Sequence, residues 1–376
     1  MIYLDNSATT RVSAAAAEAA VAAMQEGFGN PSALHSLGVR AKVLLEKARG
    51  QAAAALSCRP EEVYFSHSGT LANNTAVFGA AQALKKRGNR IVTTAAEHPS
   101  VGRCMDALEA RGFEVIRLAP QNDGGFDPQA LAEAVNEKTI LLSAMLVNNE
   151  TGAVNQVQLL RRAAQRAGAP ALIHTDAVQA FGKLPLSPAK LGADLLTASG
   201  HKLHAPKGVG LLYIKKGVRL PAHVCGGGQE GGMFSGTEAL PAIAGFGAAL
   251  AELPDPAKTL PEMQKKNDLL RASLREIPGV VFNSPENALP YILNFSLPGL
   301  PSQVLINFLS AREIYVSAGS ACKKGHRSEV LTAMELPPAR IDSAIRVSMS
   351  HDTTAEELTA FAAAVKEAAA TIRTKL

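Results

Sequence analysis

Apolar and polar positions alternate regularly through the middle of the chain. Short apolar runs rich in β-branched residues are followed by longer stretches with helical spacing, such as 70–86, 100–111 and 159–167. Near-continuous apolar strands separated by helices predict a largely parallel sheet covered on both faces. The predicted strands of this sheet are 62–66, 90–94, 114–119, 139–147, 171–175, 195–198 and 208–214.

The two ends of the chain follow other patterns. Alanine-rich helices are predicted before the sheet, at 12–27 and 33–56, and a long helix after it, at 239–253. The elements predicted beyond that helix are another helix at 258–277, short strands near 280–282, 291–296, 313–316 and 345–348, and a final helix. This second pattern is typical of a compact α+β domain. We therefore predict an α/β protein with a large domain over residues 12–253 and a small domain formed by 1–11 and 254–376.

The composition is that of a soluble globular protein. Of the 376 residues, 47% are hydrophobic and 19% are charged. No apolar run approaches the roughly 20 residues that a membrane span needs. The first residues lack the basic and apolar regions of a signal peptide, so we expect a cytoplasmic protein. The net charge of +5 is spread along the chain without a basic stripe interleaved with aromatic residues, so stable nucleic-acid binding is not expected.

The cysteines Cys58, Cys104, Cys225 and Cys322 are scattered and lack the C-x-x-C spacing. Their scattered positions argue against a disulfide framework and against a zinc site, so no metal is expected. In a reducing compartment each cysteine is by default a small buried hydrophobic residue. Only its neighbours can indicate that a cysteine is reactive.

Polar residues follow two of the predicted strands, where ligand groups gather in parallel sheets. Lys202, in the sequence Ser-Gly-His-Lys, is a candidate for a lysine that forms a Schiff base, although a surface lysine is the commoner alternative. Asp176 lies 26 residues earlier, at the end of the preceding strand. A carboxylate there can keep the ring nitrogen of pyridoxal phosphate protonated. A helix N-cap is the alternative function for this aspartate.

Two further segments suit an anionic cofactor with an aromatic ring. The sequence Ser68-Gly69-Thr70 lies between a strand and a helix, where free N–H groups and the helix dipole can hold a phosphate. A simple threonine N-cap is compatible with that function. His98 ends another strand, and its imidazole could stack on a pyridine ring and move protons. A structural histidine is the alternative.

Nine motifs occur together in an order and spacing that resemble the cysteine desulfurase family, within the class V, fold-type I pyridoxal-phosphate enzymes. The motifs occupy residues 3–10, 29–32, 97–98, 148–152, 176–179, 199–202, 226–230, 235–237 and 319–322. The resemblance covers nearly the whole chain, from residue 2 to about residue 350. It implies the fold of a fold-type I transferase, with a mainly parallel seven-stranded sheet in the large domain.

The resemblance implies a role for each matching residue. Lys202 would hold pyridoxal phosphate as a Schiff base, and Asp176 would pair with the ring nitrogen. His98 would stack on the ring, and Arg346 would bind the substrate carboxylate, a task that suits the arginine fork. The other residues implied in cofactor binding are Gly69, Thr70, Asn149, Gln179, Ser199, His201 and, from the neighbouring subunit of a homodimer, Thr237. Besides Arg346, the resemblance implies Asn30 and Asn149 as substrate-binding residues.

Cys322 distinguishes a cysteine desulfurase from a plain aminotransferase. It lies in a glycine-containing loop beside Lys323, Lys324, His326 and Arg327, whose positive charges favour the reactive thiolate. An inert cysteine in a basic surface loop is the alternative. The resemblance implies that Cys322 attacks the sulfur of L-cysteine, which leaves a persulfide on Cys322 and alanine as product. An acceptor protein would then take the sulfur for iron–sulfur cluster assembly or for thiolation of tRNA or a cofactor.

The chain departs from the family pattern at several positions. Gly231 and Phe234 stand where the family usually has arginines, and Leu71 stands where glutamate is frequent. Lys323 and Lys324 follow the cysteine, where serine or threonine is usual. Two other functions are compatible with the sequence. One is a selenocysteine lyase or a related class V enzyme, and the other is a non-enzymatic scaffold that carries sulfur.

Overall fold

The computed structural model describes residues 1–319 and 327–372 of the chain. The strands in these residues are β1 (Ile2–Tyr3), β2 (Val63–Ser66), β3 (Arg90–Thr94), β4 (Glu114–Leu118), β5 (Thr139–Ser143), β6 (Leu172–Asp176), β7 (Leu195–Ser199), β8 (Gly210–Ile214), β9 (Val281–Phe282), β10 (Ile292–Ser296), β11 (Ile314–Tyr315) and β12 (Ala344–Ser348). The helices are α1 (Ala14–Gln25), α2 (Ser36–Leu56), α3 (Gly69–Leu84), α4 (Pro99–Glu109), α5 (Pro128–Ala134), α6 (Gln158–Arg166), α7 (Pro188–Leu191), α8 (Leu240–Glu252), α9 (Pro256–Arg275), α10 (Ser302–Ser310), α11 (Glu329–Ala333), α12 (Pro338–Asp342) and α13 (Ala355–Thr371).

Seven strands form the central sheet in the order β2-β8-β7-β6-β5-β3-β4. β8 runs antiparallel to its neighbours β2 and β7, and the other neighbouring pairs are parallel. Consecutive residues such as Leu195 and Leu196, or Leu211 and Leu212, belong to different hydrophobic clusters, because side chains alternate between the two covered faces. The predicted fold class, with its mainly parallel seven-stranded sheet, is confirmed.

The predicted strand at 139–147 is too long, because β5 ends at Ser143. Beyond that residue the backbone still bonds to β6, since the Leu146 N–H donates to the Asp176 carbonyl at 2.9 Å. The intervening Met145 N–H instead donates to Glu97 Oε1 at 2.9 Å. The segment therefore leaves the regular ladder and passes beside the carboxyl ends of β3 and β6. The apolar run could not show this change, because all of its residues are buried in either conformation.

Small residues let the alanine-rich helices pack closely against α8. A Cβ atom added at Gly245 would lie 2.7 Å from the carbonyl oxygen of Ala16 in α1. One added at Gly247 would lie 2.9 Å from the Cα of Ala48 in α2. Both distances are shorter than a carbon atom tolerates without movement of the backbone. The alanine content of α1 and α2 therefore reflects close helix packing as well as helix propensity.

The C-terminal part of the chain builds a smaller antiparallel sheet, β12-β10-β9. Helices α9 and α13 pack against each other, and the ring of Phe361 in α13 meets Phe295 of β10 edge to face at 6.4 Å. The N-terminus joins this part, because β1 pairs in parallel with β11 and the Asn6 N–H donates to the Ser348 carbonyl at 3.2 Å. These contacts agree with the grouping of 1–11 with 254–376, but the domain boundaries themselves stay a prediction.

The sequence pattern did not predict five helices, which are α5, α7, α10, α11 and α12. Most are short, and a helix of four to seven residues leaves too few apolar positions for a periodicity of 3.6 to be recognised. The nine residues of α10 lie between two predicted strands and contain an apolar pattern of helical spacing, in which Leu305 and Leu309 are buried. Among residues 1–319 and 327–372, no helix combines the length and apolar character required to cross a membrane.

Candidate active site

A cavity of about 290 Å³ lies where the carboxyl ends of β6 and β7 meet the start of α3. It brings together ten of the residues that the sequence singled out. These are Gly69, Thr70, His98, Asn149, Asp176, Gln179, Ser199, His201, Lys202 and Arg346. They come from segments nearly 300 residues apart, so their convergence is a property of the fold and not of any one motif.

Lys202 stands in the cavity on a short turn that follows β7. Its Nζ donates hydrogen bonds to the carbonyl oxygens of Ser7 and Ala8, at 2.6 Å each. The N-terminal segment therefore lies directly against the candidate Schiff-base lysine. The sequence placed this segment in a family motif without assigning a task to either residue.

Asp176 uses its two carboxylate oxygens differently. Oδ1 accepts a hydrogen bond from the Val178 N–H at 2.9 Å, which closes the turn after β6. Oδ2 accepts from Asn73 Nδ2 at 2.7 Å. The side chain is buried, so these donors replace water around the carboxylate. The alternative of a helix N-cap is wrong, because no helix of the described residues begins between Asp176 and α7; one carboxylate oxygen orders a turn while the other joins a buried network.

Asn73 and Ser100 connect Asp176 with His98, and the sequence analysis missed both. Asn73 Nδ2 also donates to Ser100 Oγ at 2.8 Å, and Asn73 Oδ1 accepts from the hydroxyl of Thr197. Ser100 Oγ lies 2.8 Å from His98 Nδ1. One amide therefore holds a carboxylate and the serine beside the imidazole.

The network also fixes the tautomer of His98. The backbone N–H of Ser100 donates to His98 Nδ1 at 3.1 Å, so Nδ1 is an acceptor and the neutral ring carries its proton on Nε2. Burial lowers the pKa of His98; the negative charge of Asp176 opposes this shift, and the positive charge of Lys202 adds to it. Burial, together with Lys202 and Lys207, lowers the pKa of His201 to about 4. Both rings are therefore neutral near pH 7.

The start of α3 lies over β8. A Cβ atom added at Gly210 would be 2.3 Å from the carbonyl carbon of Ser68, so only glycine allows this approach. Ser68, rather than Thr70, is the N-cap, because its side chain accepts from the Leu71 N–H at 3.1 Å. This observation corrects the alternative of a threonine cap. Thr70 is exposed in the first turn of the helix, which leaves its hydroxyl accessible at the positive end of the helix dipole.

Gln179 is held from both sides. Its Nε2 donates to the Ser7 carbonyl at 3.0 Å, and its Oε1 accepts from Lys183 Nζ at 3.3 Å. Lys183 is buried, and burial together with the charges of Lys202 and Arg346 lowers its pKa to about 7. Sequence analysis did not single out Lys183, although a lysine four residues after Gln179 in an apolar segment is a signal that could have found it.

Arg346 enters the cavity from β12. Its Nη2 donates to Asp5 Oδ1 at 2.9 Å, and its Nη1 donates to the Asn149 carbonyl at 3.0 Å. Its Nε is buried and has no hydrogen-bond partner within residues 1–319 and 327–372. A buried N–H without a partner is costly, so the guanidinium keeps an unused donor in a side chain that lines the cavity.

Two of the predicted site residues that the structure describes do not line this cavity. Thr237 and Asn30 are exposed, and Asn30 Oδ1 accepts from the Ser32 N–H at 2.9 Å. An exposed Thr237 is what a contribution to a neighbouring subunit requires, but that contribution stays a prediction. Cys322 lies outside the described residues, as do Lys323, Lys324 and His326.

The other cysteines differ from one another. Cys104 is buried as expected, and Cys58 is half-buried. Cys225 is exposed, so the expectation that each cysteine is a buried hydrophobic residue is wrong at this position. Burial raises the pKa of both Cys58 and Cys104 to about 12, with the negative charges of Glu62 and Glu61 adding to the shift at Cys58. Both remain thiols near pH 7 and are poor nucleophiles.

The family model described as aminotransferase class-V matches residues 2–361. The chain belongs to this family. A cysteine desulfurase IscS from Methanosarcina thermophila is 37% identical to it, over 95% of this chain and 89% of the relative. Within class V the chain therefore groups with the cysteine desulfurases, and the resemblance inferred from the nine motifs is confirmed.

Solved structures agree with this assignment. A NifS-like protein is 34% identical, with a TM-score of 0.92, over 100% of both chains. SspA, solved in complex with cysteine, is 30% identical with a TM-score of 0.82, over 93% of this chain and 99% of its own. Because the NifS-like protein covers 100% of this chain, the similarity extends over all three described sheets and includes every segment that contributes to the cavity.

Proposed function

We propose that the protein is a pyridoxal-phosphate enzyme that removes sulfur from L-cysteine, with alanine as product and a persulfide on Cys322. The observation that carries this proposal is the cavity in which Lys202, Asp176 and Arg346 meet. The cysteine desulfurase relatives and the cysteine complex of SspA support the choice of substrate. A plain class V aminotransferase would need no cysteine at position 322.

The residues of the cavity fit pyridoxal phosphate. Lys202 would hold the aldehyde carbon, and Asp176, already oriented by Asn73, would face the ring nitrogen. The first turn of α3 and the side chains of Ser199 and His201 would hold the phosphate, while Gln179 and Asn149 would lie near the ring hydroxyl. When bound, the cofactor supplies an electron sink for charge that develops on the substrate carbon atoms.

His98 and Lys202 would have separate roles beside the cofactor. The imidazole of His98 would stack on the ring, and its Nε2–H is the proton that the network of Ser100 and Asn73 leaves available. The amine of Lys202, once displaced by the substrate amine, would move protons at the substrate carbon atoms. Its hydrogen bonds to the carbonyls of Ser7 and Ala8 would keep it beside the substrate during this step.

Arg346 and Cys322 would act on the two ends of the substrate. The guanidinium of Arg346, which lines the cavity, would bind the substrate carboxylate and so fix the direction of the substrate side chain. The thiolate of Cys322 would attack the substrate sulfur. The carbon–sulfur bond then breaks, its electron pair stays with carbon, and a proton completes alanine. The sulfur remains bonded to Cys322 as a persulfide, which an acceptor protein removes.

We further propose an isologous homodimer in which Thr237 of each subunit completes the site of the other. Its exposed position within a single chain is consistent with this role. Acceptors in iron–sulfur cluster assembly or in thiolation of tRNA or a cofactor fit the persulfide chemistry equally well, and a cytoplasmic location fits both.

Alanine formation from L-cysteine, measured with the matched variants Lys202→Ala and Cys322→Ser, tests the proposal. The wild-type protein should be yellow and should form one alanine for each sulfide released by a thiol reductant. Lys202→Ala should lose both the visible absorbance and turnover. Cys322→Ser should keep the absorbance and lose persulfide formation, because cofactor binding does not involve that residue.

Four results would contradict specific parts of the proposal. Normal turnover by Lys202→Ala would remove the cofactor role. Normal alanine and sulfide release by Cys322→Ser would move the nucleophile to another cysteine, and Cys225 would be tested next because it is exposed. A large preference for selenocysteine over cysteine would identify a selenocysteine lyase instead. Stable binding of an acceptor without any turnover would identify a scaffold.

A further inference from the structure

Two histidines and an aspartate that do not line the cavity meet one another near the turn that carries Lys202. One ligand atom from each of His204, His351 and Asp352 lies within 4.8 Å of the others. The rings of His204 and His351 are 5.0 Å apart between centroids, and His351 Nε2 lies 3.3 Å from Asp352 Oδ1. None of these residues has a role in the proposed reaction.

The hydrogen bonds of His204 leave its metal-binding nitrogen free. His204 Nδ1 lies 3.0 Å from the carbonyl oxygen of Arg11. A carbonyl oxygen can only accept, so Nδ1 carries the proton and Nε2 presents its lone pair. A backbone carbonyl bonded to the far nitrogen is the arrangement that orients histidine ligands in metal sites. The His204 backbone is also held, because its N–H donates to Thr10 Oγ1 at 2.7 Å.

His351 and Asp352 lie in a turn that is closed at both ends. The Ser350 N–H donates to Thr353 Oγ1 at 3.0 Å, and the Asp352 N–H donates to Ser350 Oγ at 3.2 Å. Lys266 Nζ donates to the His351 carbonyl at 2.8 Å. These bonds fix the backbone and leave both side chains to point into solvent-accessible space. The two residues can therefore rotate toward His204 without disruption of the fold.

We propose that His204, His351 and Asp352 bind a divalent transition-metal ion, for which zinc is the best match. Two imidazoles and one carboxylate, with water as fourth ligand, are a frequent zinc set. Tetrahedral ligands at about 2.0–2.1 Å from the ion lie about 3.4 Å apart. The separations, which are within 4.8 Å, need to contract by at most about 1.4 Å, within the reach of side-chain rotation.

Acidic and basic side chains both lie near the three residues. An open groove of about 970 Å³ gives access to them and also includes Glu252 and Glu357. The described cations nearby include Arg11, which is exposed in the groove, Lys266, whose Nζ donates to the His351 carbonyl at 2.8 Å, and Lys183, which contributes to lowering the pKa of His204. Since the pKa of Lys183 is about 7, this amine is largely neutral above pH 8 and opposes metal binding less there.

The position of the site gives the ion a structural consequence. His204 follows Lys202 by two residues, and His351 follows β12, which carries Arg346. A bound ion would therefore tie the loop of the cofactor lysine to the strand of the substrate-binding arginine. The inference does not depend on the proposed reaction, because the ion is bound by residues outside the cavity.

Zinc titration of the full chain, loaded with cofactor and stripped of metal by a chelator, tests the inference. Calorimetry at pH 8, without cysteine or thiol reductant, should show one zinc ion per chain. His351→Gln and His204→Gln should each weaken zinc binding at least tenfold, and Asp352→Asn should weaken it by a smaller factor. His223→Gln is the matched control, because its ring contacts Phe78 elsewhere on the surface.

A Cys322→Ala variant excludes binding at the proposed nucleophile, since thiolates also bind zinc. It should keep the wild-type affinity for the ion. Zinc should also raise the melting temperature of the wild type but not of His351→Gln, because only a ligand of the native state stabilises it. Equal affinity in wild type, His351→Gln and Asp352→Asn, loss only in Cys322→Ala, or no binding by the wild type would each overturn the inference. His351 and Asp352 are at the surface, so their variants decide the matter even where His204→Gln fails to fold.

Discussion

Glu97 is a buried carboxyl group directly before His98, and replacing it with glutamine should change the pH dependence of stability. Its Oε1 accepts hydrogen bonds from Thr94 Oγ1 at 2.7 Å and from the Met145 N–H at 2.9 Å. Its Oε2 is buried and has no partner among residues 1–319 and 327–372. Burial raises the pKa of Glu97 to about 8. The two hydrogen bonds lower this pKa, and the negative charge of Asp176 raises it further.

The magnitude follows from the difference between the folded and unfolded pKa values. An unfolded glutamate has a pKa near 4.5 and the folded one near 8. Each pH unit between them lowers the stability of the fold by about 1.4 kcal/mol, because the unfolded chain releases its proton first. The stabilising contribution of Glu97 to the free energy of unfolding is therefore complete below about pH 4.5 and is lost as the pH rises from there through about 8. By pH 7 the wild type has lost about 3 kcal/mol from this group.

Glutamine keeps the accepting oxygen of Glu97 and cannot ionise. The free energy of unfolding of Glu97→Gln should therefore be similar to that of the wild type at pH 5 and larger by about 3–4 kcal/mol at pH 8. Equilibrium urea unfolding of both proteins at half-unit steps of pH measures this difference. Other titrating groups, such as Lys183 with its pKa of about 7, are shared by both proteins and cancel in the difference.

Glu62→Gln is the matched control for this experiment. Glu62 is also buried, but its two oxygens accept backbone N–H groups of Lys216 at 2.8 Å and Arg59 at 3.0 Å. An amide nitrogen cannot replace an accepting oxygen, so this substitution should lower stability over the whole pH range. Parallel stability profiles for Glu97→Gln and the wild type between pH 5 and 8 would refute the reasoning. They would mean that Glu97 is already ionised in the fold at pH 5.

Four further substitutions test other parts of the structure. Asn73→Ala should lower kcat for alanine formation at least tenfold with little change in KM, because Asp176 loses its donor; an unchanged kcat would leave the network without a catalytic function. Arg346→Lys should raise KM for cysteine at least tenfold, because a single ammonium cannot replace the guanidinium fork; an equal KM would place the carboxylate elsewhere. Gly247→Ala should destabilise the fold by about 1–3 kcal/mol through its contact with α2. Gly50→Ala, which meets nothing within 4 Å, should stabilise it by about 0.5–1 kcal/mol in thermal unfolding.

The sequence was sufficient to predict the residues at the ends of the parallel strands. Asp176 and Lys202 follow apolar runs, and the direction of a parallel sheet places both at one edge. Local periodicity predicted these strands with errors of only a few residues, because β6 and β7 are enclosed on both faces. The placement of Arg346 rested on the resemblance instead, since β12 belongs to a different sheet.

The contact between the N-terminus and Lys202 could not be predicted from any local pattern. It depends on the parallel pairing of β1 with β11 and on the side chain of Asn6, whose Nδ2 donates to the Ser348 carbonyl at 2.9 Å. These partners are more than 300 residues apart, and β1 has only two residues. A pairing of that kind is specified by the packing of the whole molecule.

The network around Asn73 could be predicted from the sequence only in part. Buried positions of α3, such as Ala72, Ala76 and Ala80, recur at helical spacing, and Asn73 belongs to the same buried face. A buried amide without partners costs about 1–3 kcal/mol, so an asparagine on an apolar face signals a specific polar contact. The sequence thus contained the signal for a buried polar partner, but not its identity. Only the packing of α3 against α4 and β7 shows that Ser100, Asp176 and Thr197 satisfy the amide, and that one residue thereby orients both the carboxylate and the imidazole of the cavity.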